Sequence, residues 1–320
     1  MAYQPVNITL NIFDRPDQMD RRMQCDKCRR EAVLFQEYSG QHLCKQHFEA
    51  DFERKAKHEI RSHHWLSPGD HIAVVLPGDA NSSALLCFLK KLTSSRRDIQ
   101  ISAISVDEGR RDYRDPGIAQ GITGLPGVEC IRVSFAEKTG MTADEIADWK
   151  GIVLAGTYCR VIRNYLLNKT AIERGVTKLS SGDDLDDMAV SVMKNILQGN
   201  PEILIRTDLT GPGKIPVIHP FIAIPKKEVA LYSALCAGSN DIFRRPFTSG
   251  PFETDVREML DNFTLRHPAT KYALMNLKKN LESTCFTKVD SVHTCERCGE
   301  PAEGICVSCR IIDEVTSHGS

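Results

Sequence analysis

Apolar positions along this chain follow two spacings, short unbroken or alternating runs and longer stretches that recur every three to four residues. Both occur in succession between His71 and Leu92. Residues 72–76 are a continuous apolar run, Pro77-Gly78-Asp79 is a turn, and Leu85, Leu86, Leu89 and Leu92 recur at helical spacing. This predicts a buried strand, a tight turn and an amphipathic helix opening near Asn81 and Ser82. Further strands are predicted at 101–106, 130–133 and 178–182, with helices over 142–150, 156–174 and 188–197. The segment 216–235 carries Pro216, Pro220 and Pro225, and reads as an edge strand followed by a helix. Strands alternating with helices over 70–235 predict an α/β fold built on a doubly wound parallel sheet.

The flanks differ. Val6, Ile8, Leu10 and Ile12 alternate, predicting a strand over 3–13, and 34–44 reads as a hairpin turning at Ser39-Gly40. Phe48, Phe52, Ala56 and Ile60 then mark one face of a charged helix, and 252–283 is helical and mixed in charge. The organisation expected is an N-terminal strand, finger and helix over 1–66, the α/β domain over 67–250, a helical extension over 251–290 and a cysteine-rich module over 291–320.

Lys and Arg number 41 against 42 Asp and Glu, so any nucleic-acid surface must be a local patch. No run is long enough to cross a membrane and no hydrophobic leader is visible, so a cytoplasmic location without membrane contact is expected. In a reducing compartment, twelve cysteines point to metal before disulfides. Cys25 and Cys28 form one pair, with Cys44 and His47 as a second. Cys295 with Cys298 and Cys306 with Cys309 repeat the arrangement. A pair spaced by two residues puts both ligands on one side of a tight turn, and two pairs complete a tetrahedral zinc site. Two structural zinc sites are therefore expected, each with four protein ligands and no open position for chemistry.

Candidate chemistry lies at strand ends. A strand that passes through a Gly turn into a helix gathers free N–H groups where phosphate binds, which singles out Gly78, Asn81 and Ser82. Asp107 closes a strand at the rim where parallel sheets hold ligands. Gly182 leads into Asp183, Asp184, Asp186 and Asp187, more carboxylates than helix capping needs, and a plausible rim for Mg²⁺ or nucleotide. Cys159, at the predicted start of a helix, is a candidate thiolate.

Taken together, the two-pair finger, SGQHLCKQHFEADFERK, the Asp-Glu-Gly strand end, NYLLNKTAIERG, SGDDLDD, IPKKEVALY and the terminal four-cysteine ribbon resemble the TtuA-type tRNA 2-thiolation proteins, related to the TtcA and Ncs groups, from residue 23 to 315. The resemblance implies a HUP-like sheet of the adenine nucleotide α-hydrolase type, ATP with Mg²⁺, and tRNA as partner. A sulfur-carrier protein and a homodimer are further partners it leaves open. It implies activation of a uridine oxygen by ATP and replacement by sulfur, with Cys159 and Asp186 as catalytic candidates and Gly78, Asn81, Ser82, Asp107, Gly182 and Asp187 on the nucleotide.

The chain departs from that family at functional positions. The family loop Ser-Gly-Gly-Lys-Asp-Ser stands here as Pro77 to Ser82, with Asp79 adding a negative charge and Ala80 in place of the lysine. Of three cluster cysteines only Cys159 remains, because the pair reads Gly156-Thr157-Tyr158-Cys159 and Arg245 precedes Pro246. An iron–sulfur cluster is accordingly not expected. Three functions stay open: a thiolation enzyme with an altered site, a non-catalytic tRNA- or partner-binding relative, and different nucleotide chemistry on the same fold.

Overall fold

The computed structural model describes residues 23–111, 127–200, 214–237, 250–284, 295–298 and 302–319. The strand expected over 3–13 and the positions Arg245 and Pro246 lie outside them. The chain divides into two units, Met1–Arg54 and Lys55–Ser320.

In the first unit the Cys25–Cys28 turn folds back on itself, with the N–H groups of Cys28 and Arg29 donating to Cys25 O. Arg29 sits at φ 60°, the left-handed conformation this turn demands and that most side chains avoid. A hairpin follows, β1 (Leu34–Gln36) paired antiparallel with β2 (Gln41–Leu43), its turn closed by Gly40 at φ 67°. Helix α1 (Lys45–Ser62) begins here and continues into the second unit. Leu34, Leu43, Phe48 and Phe52 are buried.

The second unit is built on five parallel strands: β3 (His71–Val75), β4 (Gln100–Asp107), β5 (Glu129–Ser134), β6 (Lys178–Ser180) and β7 (Val217–Ile218). Their order is β5-β4-β3-β6-β7. Val74 pairs with Ala103 on one side and Ser180 on the other, so β3 is central and buried on both faces, which accounts for its unbroken apolar run. Ala73, Ile104 and Leu179 join one apolar cluster with Ile162 and Leu166. Those two come from α5 (Ile152–Glu173), which follows α3 (Phe135–Thr139) and α4 (Ala143–Lys150). The alternate residues Ile72, Val74 and Ala103 point the other way, to the layer of α2 (Ala80–Thr93), whose Leu85, Leu86 and Leu89 are fully buried. Each such leucine contributes roughly 1.5–3 kcal/mol of transfer free energy. Helix α7 (Lys226–Ala237) packs beside α2.

Helix α6 (Leu185–Leu197) leaves β6 and is covered by α8 (Pro251–Thr264) and α9 (Thr270–Thr284). The C-terminal cysteines run into α10 (Val307–Gly319), so the module expected over 291–320 ends in a helix. Helix α5 begins at Ile152 and α6 at Leu185, earlier than the apolar spacing suggested, because Gly151 and Asp184 are the true N-caps. Among the described residues no helix is long and apolar enough to cross a membrane.

Candidate functional site

Strand order reverses between β3 and β6, so the loops leaving these two strands face each other across the crevice where parallel sheets bind ligands. The β3 loop turns at Gly78, φ 82°, and delivers Asp79 as the N-cap of α2. Asp79 Oδ1 accepts from the Ser82 N–H at 2.8 Å, while the hydroxyls of Ser82 and Ser83 donate to the Asp79 carbonyl at 3.0 and 3.1 Å. A carboxylate of the chain therefore occupies a donor that a phosphate would use.

Asn81 joins the two loops. Its Nδ2 donates to Gly182 O at 3.0 Å and to Asp184 Oδ2 at 2.9 Å. A Cβ on Gly182 would come within 2.9 Å of the Asn81 carbonyl carbon, so only glycine fits there. Asp184, entirely buried, caps α6 by accepting from the Asp187 N–H at 3.0 Å. Burial, reinforced by the charges of Asp187 and Asp186, pushes its carboxyl up to about 7.

The remaining carboxylates are all engaged by side chains or backbone of the same chain. Asp186 Oδ1 meets Lys271 Nζ at 2.5 Å, and its Oδ2 accepts from the Lys226 N–H at 2.8 Å. Lys271 also donates to Asp261 at 2.6 Å and is only 7% exposed. Burial opposes its charge, but the bonds to Asp186 and Asp261 outweigh that and hold its pKa above the usual lysine value. Asp187 lies 3.0 Å from Arg257, and Asp183 lies 3.0 Å from His219 Nδ1 at the end of β7. Asp107 accepts from the Gly109 N–H at 2.9 Å and from Arg132 at 2.7 Å.

Cys159 lies on α5 and not on these loops. It lies two turns inside α5 in the apolar cluster, 1% exposed. Burial, aided by the nearby Glu108 charge, pushes its thiol up to about 11, the reverse of the activated thiolate expected at a helix start. Glu108 is itself bound by Arg110 at 2.8 Å and Arg163 at 2.6 Å. Alkylation by iodoacetamide at pH 8 should label exposed Cys130 and Cys236 at least about tenfold faster than Cys159. Peptide mass spectrometry reads the rates, and equal labelling would refute the buried-thiol assignment.

The eight metal-ligand candidates converge as two sets, each with ligand atoms within 4.8 Å of one another: Cys25, Cys28, Cys44 and His47, and Cys295, Cys298, Cys306 and Cys309. In the first, His47 Nδ1 lies 3.3 Å from Cys25 Sγ and 3.4 Å from Cys44 Sγ. In the second, Cys295 and Cys309 are 3.8 Å apart and Cys298 and Cys306 3.4 Å. Backbone N–H groups of Cys306 and Arg297 bring the Cys295 thiol down to about 6, toward the thiolate a metal needs.

Sequence reasoning brought Gly78, Asn81, Ser82, Gly182, Asp186 and Asp187 to the loops leaving β3 and β6. It missed Lys271, Arg257, Arg132 and His219, whose partners are distant in sequence. Asp184, expected with its neighbours at an acidic rim, is instead the buried N-cap of α6, a role that an Asp three positions before Asp187 at a helix start already signals.

The family model of the N-terminal LIM domain of the 2-thiouridine synthetase TtuA matches residues 24–49. The tRNA 2-thiolation protein NcsA of Haloferax volcanii is 28% identical over 92% of this chain and 99% of its own length. The cytoplasmic tRNA 2-thiolation protein 1 of Saccharomyces cerevisiae is 30% identical over 94% of this chain and 88% of its own. The solved U34-tRNA thiolase NcsA from Methanococcus maripaludis, with its [4Fe–4S] cluster, superposes with a TM-score of 0.76 at 27% identity, covering 90% of this chain and 95% of that one. This corrects the expectation that an iron–sulfur cluster has no place here. A relative of the same fold carries one, and cysteine thiolates of the kind gathered at 295–309 are the donors such clusters use. On the length and identity of these matches, the chain belongs to the family of tRNA 2-thiolation proteins.

Proposed function

We propose that the chain serves tRNA 2-thiolation as a tRNA-binding member of the family whose nucleotide crevice is held shut by its own side chains. The observation that carries this reading is Asp79. Its carboxylate caps α2 at the Ser82 N–H, where the family loop holds phosphate, and Ala80 supplies no cation to offset it. The ion pairs of Asp186, Asp187 and Asp107 support the same conclusion, since carboxylates already bound to Lys271, Arg257 and Arg132 make poor Mg²⁺ ligands. Exposed Arg29 and Arg160 are available to phosphates of RNA, Arg30 and Arg111 are exposed beside Gln46 and Asp144, and Arg110 and Arg163 are committed to Glu108.

We assign zinc to the first set, and to the second a centre held by four thiolates, either zinc or a cluster of the kind its solved relative carries. Four ligands about 2.3 Å from one ion stand about 3.8 Å apart, which the observed 3.3–3.8 Å separations approach.

The test is calorimetric titration of ATP with Mg²⁺ into the parent and into the double variant Asp79→Gly, Ala80→Lys, with zinc, iron and sulfide quantified in both. The parent should give no binding heat at millimolar ATP, and the variant should gain affinity by at least about tenfold, the effect of exchanging a carboxylate for a cation at a phosphate. Micromolar binding by the parent would sink the closed-crevice reading. Retention of tRNA by the parent in a filter assay, weakening as salt rises, completes the expected result.

A further inference from the structure

Helix α10 is fastened along its whole length. Cys306 precedes it and Cys309 lies on its first turn, with the Cys306 N–H on Cys295 Sγ and the Cys309 N–H on Cys306 Sγ, both 3.3 Å. Arg297, between the first two cysteines, pairs with Asp313. Further along, Ile311 and Val315 enter the apolar cluster that holds Cys159, Ile162 and Leu166 of α5. Glu314 accepts from Tyr158 Oη at 2.6 Å and pairs with Lys150. His318 stacks on Trp149 of α4, ring centroids 4.1 Å apart and 7° from parallel. At the far end Gly319 lies against Gly140 so tightly that a Cβ on Gly140 would stand 2.5 Å from the Gly319 carbonyl oxygen.

A helix of 13 residues is marginal alone in water and takes its stability from packing. Here the packed surface is α5 itself, and the start of the helix is made of metal ligands. We infer that the four-cysteine set is the pin of a latch. Metal bound by Cys295, Cys298, Cys306 and Cys309 holds α10 on α4 and α5, and its loss releases α10 and loosens the first three turns of α5, which carry Cys159 and Arg163. The metal site, closed to substrate, would thereby act at a distance on the helix whose Arg163 binds Glu108.

Hydrogen exchange with mass spectrometry on the full chain tests this, before and after chelation in the presence of a reductant, with metal content measured in each sample. Amides of 307–319 and of 152–163 should exchange at least about tenfold faster after chelation, while α2 and α7 keep their protection. The variant Ile311→Ala, still metal-loaded, should loosen 152–163 with its metal content unchanged, separating the pin from the docking surface. Three outcomes overturn the latch: 307–319 staying protected without metal, 307–319 exchanging while 152–163 does not, or α2 and α7 opening along with them.

Discussion

Lys271→Ala is expected to lower the unfolding free energy by about 3 kcal/mol at pH 7.5, the low end of the 3–5 kcal/mol that follows removal of one partner from a buried ion pair. The low end applies because one of the two partners, Asp261, is 56% exposed and water can solvate it once the ammonium is gone, whereas Asp186 is 17% exposed. The sign of the pH dependence follows from the raised pKa of Lys271. In the parent its stabilisation is fully present below the unfolded lysine value of about 10.4 and is lost only as pH rises through the folded value. Urea unfolding of both proteins at pH 7.5 measures the penalty, and a loss below about 1 kcal/mol, the range of an exposed pair, would refute the buried-pair argument. Lys271→Met keeps the buried stem and separates lost packing from lost charge.

The second large effect is expected at the N-terminal ligand set. Cys44→Ser should cost one metal equivalent and unfold the β1–β2 hairpin, because the buried side chains of that unit are few and the metal supplies much of its folding energy. Structural zinc in finger peptides binds with about 10–16 kcal/mol at neutral pH, far more than a three-residue strand pair can supply. Limited proteolysis should then cut within 23–43 while the sheet of the second unit survives. Retention of two metal equivalents, or an intact hairpin without the metal, would show that the set does not hold this unit together.

These two sites differ in how far they were legible beforehand. The cysteine pairs speak through spacing alone, since two ligands three positions apart must share a turn, and the hairpin between them follows from Gly40. The central strand was equally plain, because burial on both faces leaves no polar position to alternate. The capping box of α4 was readable from Thr142 and Glu145, and both of its bonds are present. Lys271 offered no such signal. Its two Asp partners lie 85 and 10 residues away, and nothing local distinguishes it from a solvated lysine of α9. Cys159 failed for a different reason. Gly156 suggested a helix start, but Gly151 takes that role, and one further turn of helix moved the thiol from a terminus into the core. Helix α10 had a readable repeat in Ile311 and Val315, which the metal ligands just before it overshadowed.

Asp79 has a consequence for regulation. A loop that is ordered by a bound ligand is more stable when that ligand is plentiful and less so when it is scarce, by an amount set by concentration over affinity. The cap on α2 is attached to the chain it orders, so its effective concentration is fixed by the fold. On the closed-crevice reading proposed above, the start of α2 is thereby as well ordered in a cell depleted of nucleotide as in one that is replete.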